Sequence, residues 1–237
     1  MDAIRREWRV QCRNLPAEMG FVLGGFLFGR LLAMGILFFT KEDEWLPFGA
    51  IFGAFGLGAV LFTIAMQFVI GLNRAILMSR TRTNFMLGGY SMGIFTLLLA
   101  LVVLLLLSWI EFCTASADDT LRAAAEQVAS VLLHPLFLLS FPVCGTVLAG
   151  FIGALLARFG WRAGWTLWGI WMLGALVLPR MIDASKGKDT LLTRAGNLLG
   201  SFVLTLTPVT LAVAGLFLTL AALAATVAMI RTKQAEG

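Results

Sequence analysis

Ser91 stands in Gly89-Tyr90-Ser91-Met92-Gly93, a G-x-S-x-G pattern, and His134 is the single histidine that could serve it as a base. A serine nucleophile of this kind needs a strand before it, a helix after it, and donors that stabilise an oxyanion. Here the five residues open a long apolar run, where small residues are expected for helix packing, and no oxyanion donors are evident. Packing is the better account of the pattern. An intramembrane serine hydrolase using Ser91 is carried as the lesser alternative. His134, beside Pro135, reads as a hydrogen-bonded residue near the end of its span rather than as a base.

Other chemistry is excluded more directly. Gly187-Lys188-Asp189-Thr190 lacks the upstream glycine, and the Ser/Thr straight after lysine, that a phosphate-binding loop requires. The chain is therefore not expected to hydrolyse ATP, or to be an enzyme by itself. Cys12, Cys113 and Cys144 are scattered and lack metal-ligand spacing, so neither a disulfide framework nor a metal site is expected. No catalytic residue, metal ligand or cofactor-binding residue is assigned.

Two features remain. Arg30 lies midway along the first apolar run, where a charge costs on the order of 3 kcal/mol by insertion scales. One reading is contact with an anionic substrate group or a gating pair. The other is a structural ion pair or hydrogen bonding to backbone carbonyls. No acid falls within the expected hydrocarbon depth, so the sequence names no partner. The second feature is the polar stretch 73–85 between two apolar runs. Ala75, Ile76, Leu77 and Met78 suit a helical turn anchored at the membrane surface, and the residues from Ser79 to Asn84 offer hydroxyls, guanidiniums and an amide to a partner. A plain positive-inside turn would need only the arginines.

The elements that position these residues follow from composition. Hydrophobic residues make up 59% of the 237 and charged residues 13%, about half the share typical of a soluble domain. A crossing helix needs about 20 apolar residues. Six runs qualify, at about 19–40, 46–72, 86–110, 129–157, 163–178 and 208–230. The first follows four arginines with no small-residue cleavage pattern, so it reads as a retained span. The fold class is an all-α polytopic membrane protein, one transmembrane domain over residues 1–237. Residues 1–16 are expected to form an interfacial helix, with Trp8 on its apolar face and Arg5, Arg9 and Arg13 on another. Pro135 and Pro142 predict a kinked or broken fourth span. Residues 195–230 are charge-free and too long for one upright helix, so 197–207 is expected to re-enter the outer leaflet before Pro208. Glycines at 20, 24, 25 and 29, then 49, 53 and 56, predict close helix approach, within one subunit or across a dimer.

Eleven Lys/Arg fall in the N-terminal segment, the 73–85 loop, the Arg158/Arg162 loop and the C-terminal tail, against six in the opposite loops. The positive-inside rule then places both termini in the cytoplasm. The net charge of +5 is absorbed by this orientation, so nucleic acid is not an expected partner.

With orientation assigned, Met78-Ser79-Arg80-Thr81-Arg82-Thr83-Asn84-Phe85 resembles the M-[GS]-x-[TS]-R-x-x-[FY] pattern of permease subunits of ABC-2-type ABC transporters. In that family, too, the pattern lies in the cytoplasmic loop joining spans two and three. Six spans, cytoplasmic termini, an N-terminal interfacial helix and an outer re-entrant segment are similar as well. The stretch from Ala157 to Trp165 weakly resembles a second family pattern, from which Trp161 and Ala163 depart. The resemblance covers the architecture of nearly the whole chain but about fifteen residues by motif. It implies a subunit of the bacterial inner membrane that pairs with a related permease as a homodimer or heterodimer. It further implies a separately encoded ABC ATPase that binds ATP and Mg. Met78, Ser79, Arg80, Thr81, Arg82, Asn84 and Phe85 would couple the two. A non-transporting structural or assembly subunit of a membrane complex is the alternative from another class.

Overall fold

The computed structural model describes residues 8–9, 12–40, 47–77, 82–114, 133–173 and 208–232. These residues are helical apart from short turns, with no strand among them. Six helices follow in order: α1 (Leu15–Thr40), α2 (Phe48–Leu77), α3 (Arg82–Thr114), α4 (Pro135–Phe159), α5 (Trp161–Met172) and α6 (Pro208–Thr232). The first four are long and apolar enough to cross a membrane, and α6 adds a shorter apolar stretch at Gly215–Arg231. The described residues are those of an all-helical membrane protein. α5, at 12 residues, is too short to span as it stands, and the expected span at 163–178 continues beyond the described residues. The expected re-entrant segment at 197–207 also lies outside them, as does most of the expected interfacial helix 1–16. Of that segment, Trp8 and Arg9 are helical and residues 12–14 form a turn into α1.

Side chains outline a bundle centred on α2, which packs against α1, α3 and α4, while α6 packs on α4. Val60, Ile64, Phe68 and Leu72 of α2 meet Val22 of α1, Leu97 and Leu101 of α3, and Ala149 and Ala154 of α4. Phe28, Leu31, Phe55, Phe62, Leu106 and Leu139 remain exposed. In water such surface would be a liability; in a bilayer it faces lipid. Lipid tails are as apolar as leucine, so burying these side chains selects the arrangement only weakly. Close backbone approach and polar pairing select it instead.

Glycine provides the close approach between α1 and α2. A Cβ on Gly25 would collide with the Phe52 carbonyl, one on Gly29 with the Phe48 carbonyl, and one on Gly56 with the Phe21 carbonyl. These pairs set an antiparallel register within one subunit. Gly49 and Gly53 instead face Glu111 and Leu104 of α3, and Gly20 and Gly24 meet nothing within 4 Å. The register also staggers α1. Gly29 sits beside the first residue of α2, so α1 runs on for about 15 Å past that helix end.

The fourth helix departs from expectation. It begins at Pro135, where a missing N–H costs nothing in the first turn, with His134 as N-cap accepting from the Leu136 N–H. It then runs unbroken through Pro142 to Phe159. The buried Thr146 hydroxyl donates to the Pro142 carbonyl at 2.7 Å. Thr219 and Thr226 of α6 likewise donate to the carbonyls four residues back. Each hydroxyl is thus satisfied inside its own helix, as an apolar solvent demands.

Candidate functional site

The end of the α1–α2–α3 unit at which α2 begins closes on one carboxylate. Glu111, on the last turn of α3, is buried and accepts from the backbone N–H groups of Gly49 (3.1 Å to Oε1) and Ala50 (2.8 Å to Oε2). The first N–H groups of a helix have no intrahelical acceptor and carry partial positive charge, so an anion there satisfies both needs. Arg30 completes the set, with Nη1 3.3 Å from Glu111 Oε1. Gly49 makes the approach feasible, because a Cβ there would fall 2.7–2.9 Å from the carboxylate atoms.

Glu111 is therefore the partner that sequence reasoning did not find for Arg30. The apolar run that predicts the third span ends at Ile110, but α3 continues through Thr114. The ion pair also changes what Arg30 offers, since its charge is offset by a carboxylate at contact distance. The one sequence signal pointing to Glu111 is its place directly after an uninterrupted apolar run.

A second buried carboxyl lies lower in the bundle. Glu18, in the first turn of α1, accepts from Gln67 Nε2 at 2.7 Å and is hydrogen-bonded by Thr96. Three helices thus converge on it, and both partners are neutral. The expected first span, 19–40, begins one residue after Glu18. Nearby, the Trp8 indole N–H donates to Ser91 Oγ at 3.1 Å, and its ring lies 5.3 Å from Phe95. The N-terminal segment is thereby held against α3.

Ser91 donates in turn to the Gly88 carbonyl at 3.0 Å. It lies inside a continuous helix, without the strand-to-helix turn of a nucleophile elbow. Gly89 packs under Phe68, and a Cβ at Gly93 would strike Thr146 of α4. The G-x-S-x-G spacing thus serves helix packing. Among the described residues, no group of three His, Cys, Asp or Glu is arranged to hold a metal.

The 73–85 stretch is more helical than its composition suggested. α2 continues through Leu77 and α3 starts at Arg82. Met78, Ser79, Arg80 and Thr81 lie outside the described residues. Thr83 and Asn84 are exposed on the first turn of α3. Phe85 is buried, its ring 5.8 Å from that of Phe68 and edge-on to it. Gly71 makes room for it, since a Cβ there would fall 2.8 Å from the Phe85 ring. The structure therefore splits the motif's described part into an exposed polar pair and an apolar residue that joins α3 to α2. Comparison with protein-family models, with curated proteins and with solved structures finds no match to this chain.

Proposed function

We propose that this chain is the transmembrane subunit of an ATP-driven exporter of the ABC-2 type, coupled through residues 73–85 to a separate ATPase that binds ATP and Mg. The observation that supports the reading most is the build of the α2–α3 hairpin. Its helices run unbroken for 30 and 33 residues, about 45–50 Å, from the motif to the Glu111 clamp. Exposed Thr83 and Asn84 stand at one end, next to the buried Phe85 that fixes them to the bundle. A push on such a tip displaces the helices as a body rather than bending a loop. ATP binding would then bias a two-state bundle through contacts made differently in each state.

In this reading the protein has six spans, both termini in the cytoplasm, and a place in the inner membrane as a homodimer or heterodimer with a related permease. Arg30 and Glu111 form a clamp or gate at the outer end, and the cargo follows the pathway between the two permeases. The decisive experiment is co-purification of the ATPase with wild type and with Arg82→Ala/Asn84→Ala. The double variant is expected to insert normally and lose the ATPase. Retained association together with retained transport would remove the coupling role, and retained association without transport would favour a structural or assembly subunit.

A further inference from the structure

The turn joining α4 to α5 gathers charge and aromatic surface in one place. Gly160 reverses the chain at φ 64° and ψ −153°, with Arg158 two residues before it and Arg162 two after, both exposed. The Arg158 guanidinium lies 5.7 Å from the Phe159 ring centroid. Trp161, Trp165 and Trp168 follow at helical spacing, with successive rings edge-on at 6.0 and 5.7 Å. α5 buries none of its residues. Its first turn touches the last turn of α4, since a Cβ on Gly164 would lie 3.4 Å from the Leu156 side chain.

α4 is long and apolar enough to cross a membrane, and this turn is its end, so the turn stands at a membrane face. Tryptophan favours that depth, where its ring meets acyl chains and its N–H meets polar groups. Arginine at the same depth presents planar donors that match phosphate oxygens. Trp165 and Ile170 are exposed on nearly opposite sides of α5, which fits a surrounding bilayer better than one flat protein partner.

We propose that Arg158 and Arg162, with Trp161 and Trp165, form a binding surface for the headgroup of an anionic phospholipid. The guanidiniums take the phosphate while the indoles pack against the upper acyl chains. This site is independent of the ATPase coupling proposed above.

The test uses the full chain reconstituted in phosphatidylcholine with about one third phosphatidylglycerol, a composition in which anionic-surface attraction is resolved. The protein is then extracted gently, and retained lipids are counted by native mass spectrometry. Wild type is expected to retain phosphatidylglycerol over phosphatidylcholine. Arg158→Gln/Arg162→Gln is expected to lose that preference by roughly thirtyfold, the combined effect of two surface arginines on an anionic headgroup. Arg158→Lys/Arg162→Lys should keep most of it, and Arg231→Gln all of it. An unchanged preference in the double glutamine variant overturns the site, as does an equal loss in Arg231→Gln. If the double variant does not fold, Arg162→Gln alone decides, and an unchanged ratio there also overturns the proposal.

Discussion

Arg30 and Glu111, 81 residues apart in sequence, meet at 3.3 Å beside the first turn of α2. Because Glu111 also accepts from Gly49 and Ala50, this is a three-helix junction rather than a simple ion pair. Removing the carboxylate leaves a largely covered guanidinium and two helix-terminal N–H groups without their acceptor. Glu111→Ala is therefore expected to cost about 2–4 kcal/mol, near the value for breaking a buried pair from one side. Thermal unfolding in detergent measures it. Arg30→Gln should cost less, and Arg30→Gln/Glu111→Gln less than the sum of the singles. Additive losses would mean that the two side chains do not interact.

Gly49 tests the same junction through its backbone. Gly49→Ala places a methyl group on the Glu111 carboxylate, so the expected outcome is a loss of about 1–3 kcal/mol, as for other overpacked sites. With Glu111→Ala already present, the same change should be nearly silent. An equal loss in both backgrounds would show that Gly49 acts through something other than Glu111.

Within the motif, burial and exposure predict opposite phenotypes. Phe85→Ala empties a packed aromatic site between α2 and α3 and should cost about 2–4 kcal/mol, visible as a lower unfolding temperature. Asn84→Ala, on an exposed turn, should leave stability within about 0.5 kcal/mol. If the proposed coupling role holds, its effect is on ATPase co-purification alone.

Gly160 holds a backbone conformation reserved for glycine, at φ 64° and ψ −153°. Gly160→Ala should cost about 1–3 kcal/mol or reorient α5 on α4. Unfolding temperature, together with quenching of the tryptophans by brominated lipid, separates the two outcomes. No change in either would mean that the turn adjusts freely.

Glu18 and Gln67 offer a further test inside the bundle. Glu18→Gln preserves shape and hydrogen-bonding capacity and should be tolerated. Glu18→Leu strands the Gln67 amide and should cost about 1–3 kcal/mol by thermal unfolding. Equal stability of the two variants would remove the structural role of this contact.

Much of the fold is legible in the apolar runs, because crossing a membrane imposes a length that few other constraints imitate. The helix ends are less so. Hydropathy trims a span at a charge near its edge, which places Glu111 and Glu18 outside their helices. Both are retained inside because another helix supplies donors, and those donors lie 62 and 49 residues away in sequence. Glycine spacing announces a close contact without saying which of Gly24 and Gly25 makes it, since a turn of 3.6 residues leaves adjacent positions 100° apart. Pro135 and Pro142 predict a kink or a break; Pro135 starts α4, and the helix runs through Pro142 without a break. The exposed half of the motif follows from composition, whereas the burial of Phe85 depends on Gly71 and Phe68 of another helix.

The junction at Glu111 also has a history within each molecule's synthesis. Ribosomes add about 5–20 residues per second, so the acid follows Arg30 by roughly 4–16 s. During that interval α1 and α2 can already pair through Gly25, Gly29 and Gly56, while the Glu111 carboxylate that accepts from Arg30, Gly49 and Ala50 has yet to be made. A nascent two-helix intermediate thus lacks the acceptor that ties three helices together, and the third helix supplies it on packing. Chains truncated just before Glu111 should therefore be degraded more readily than chains that include it.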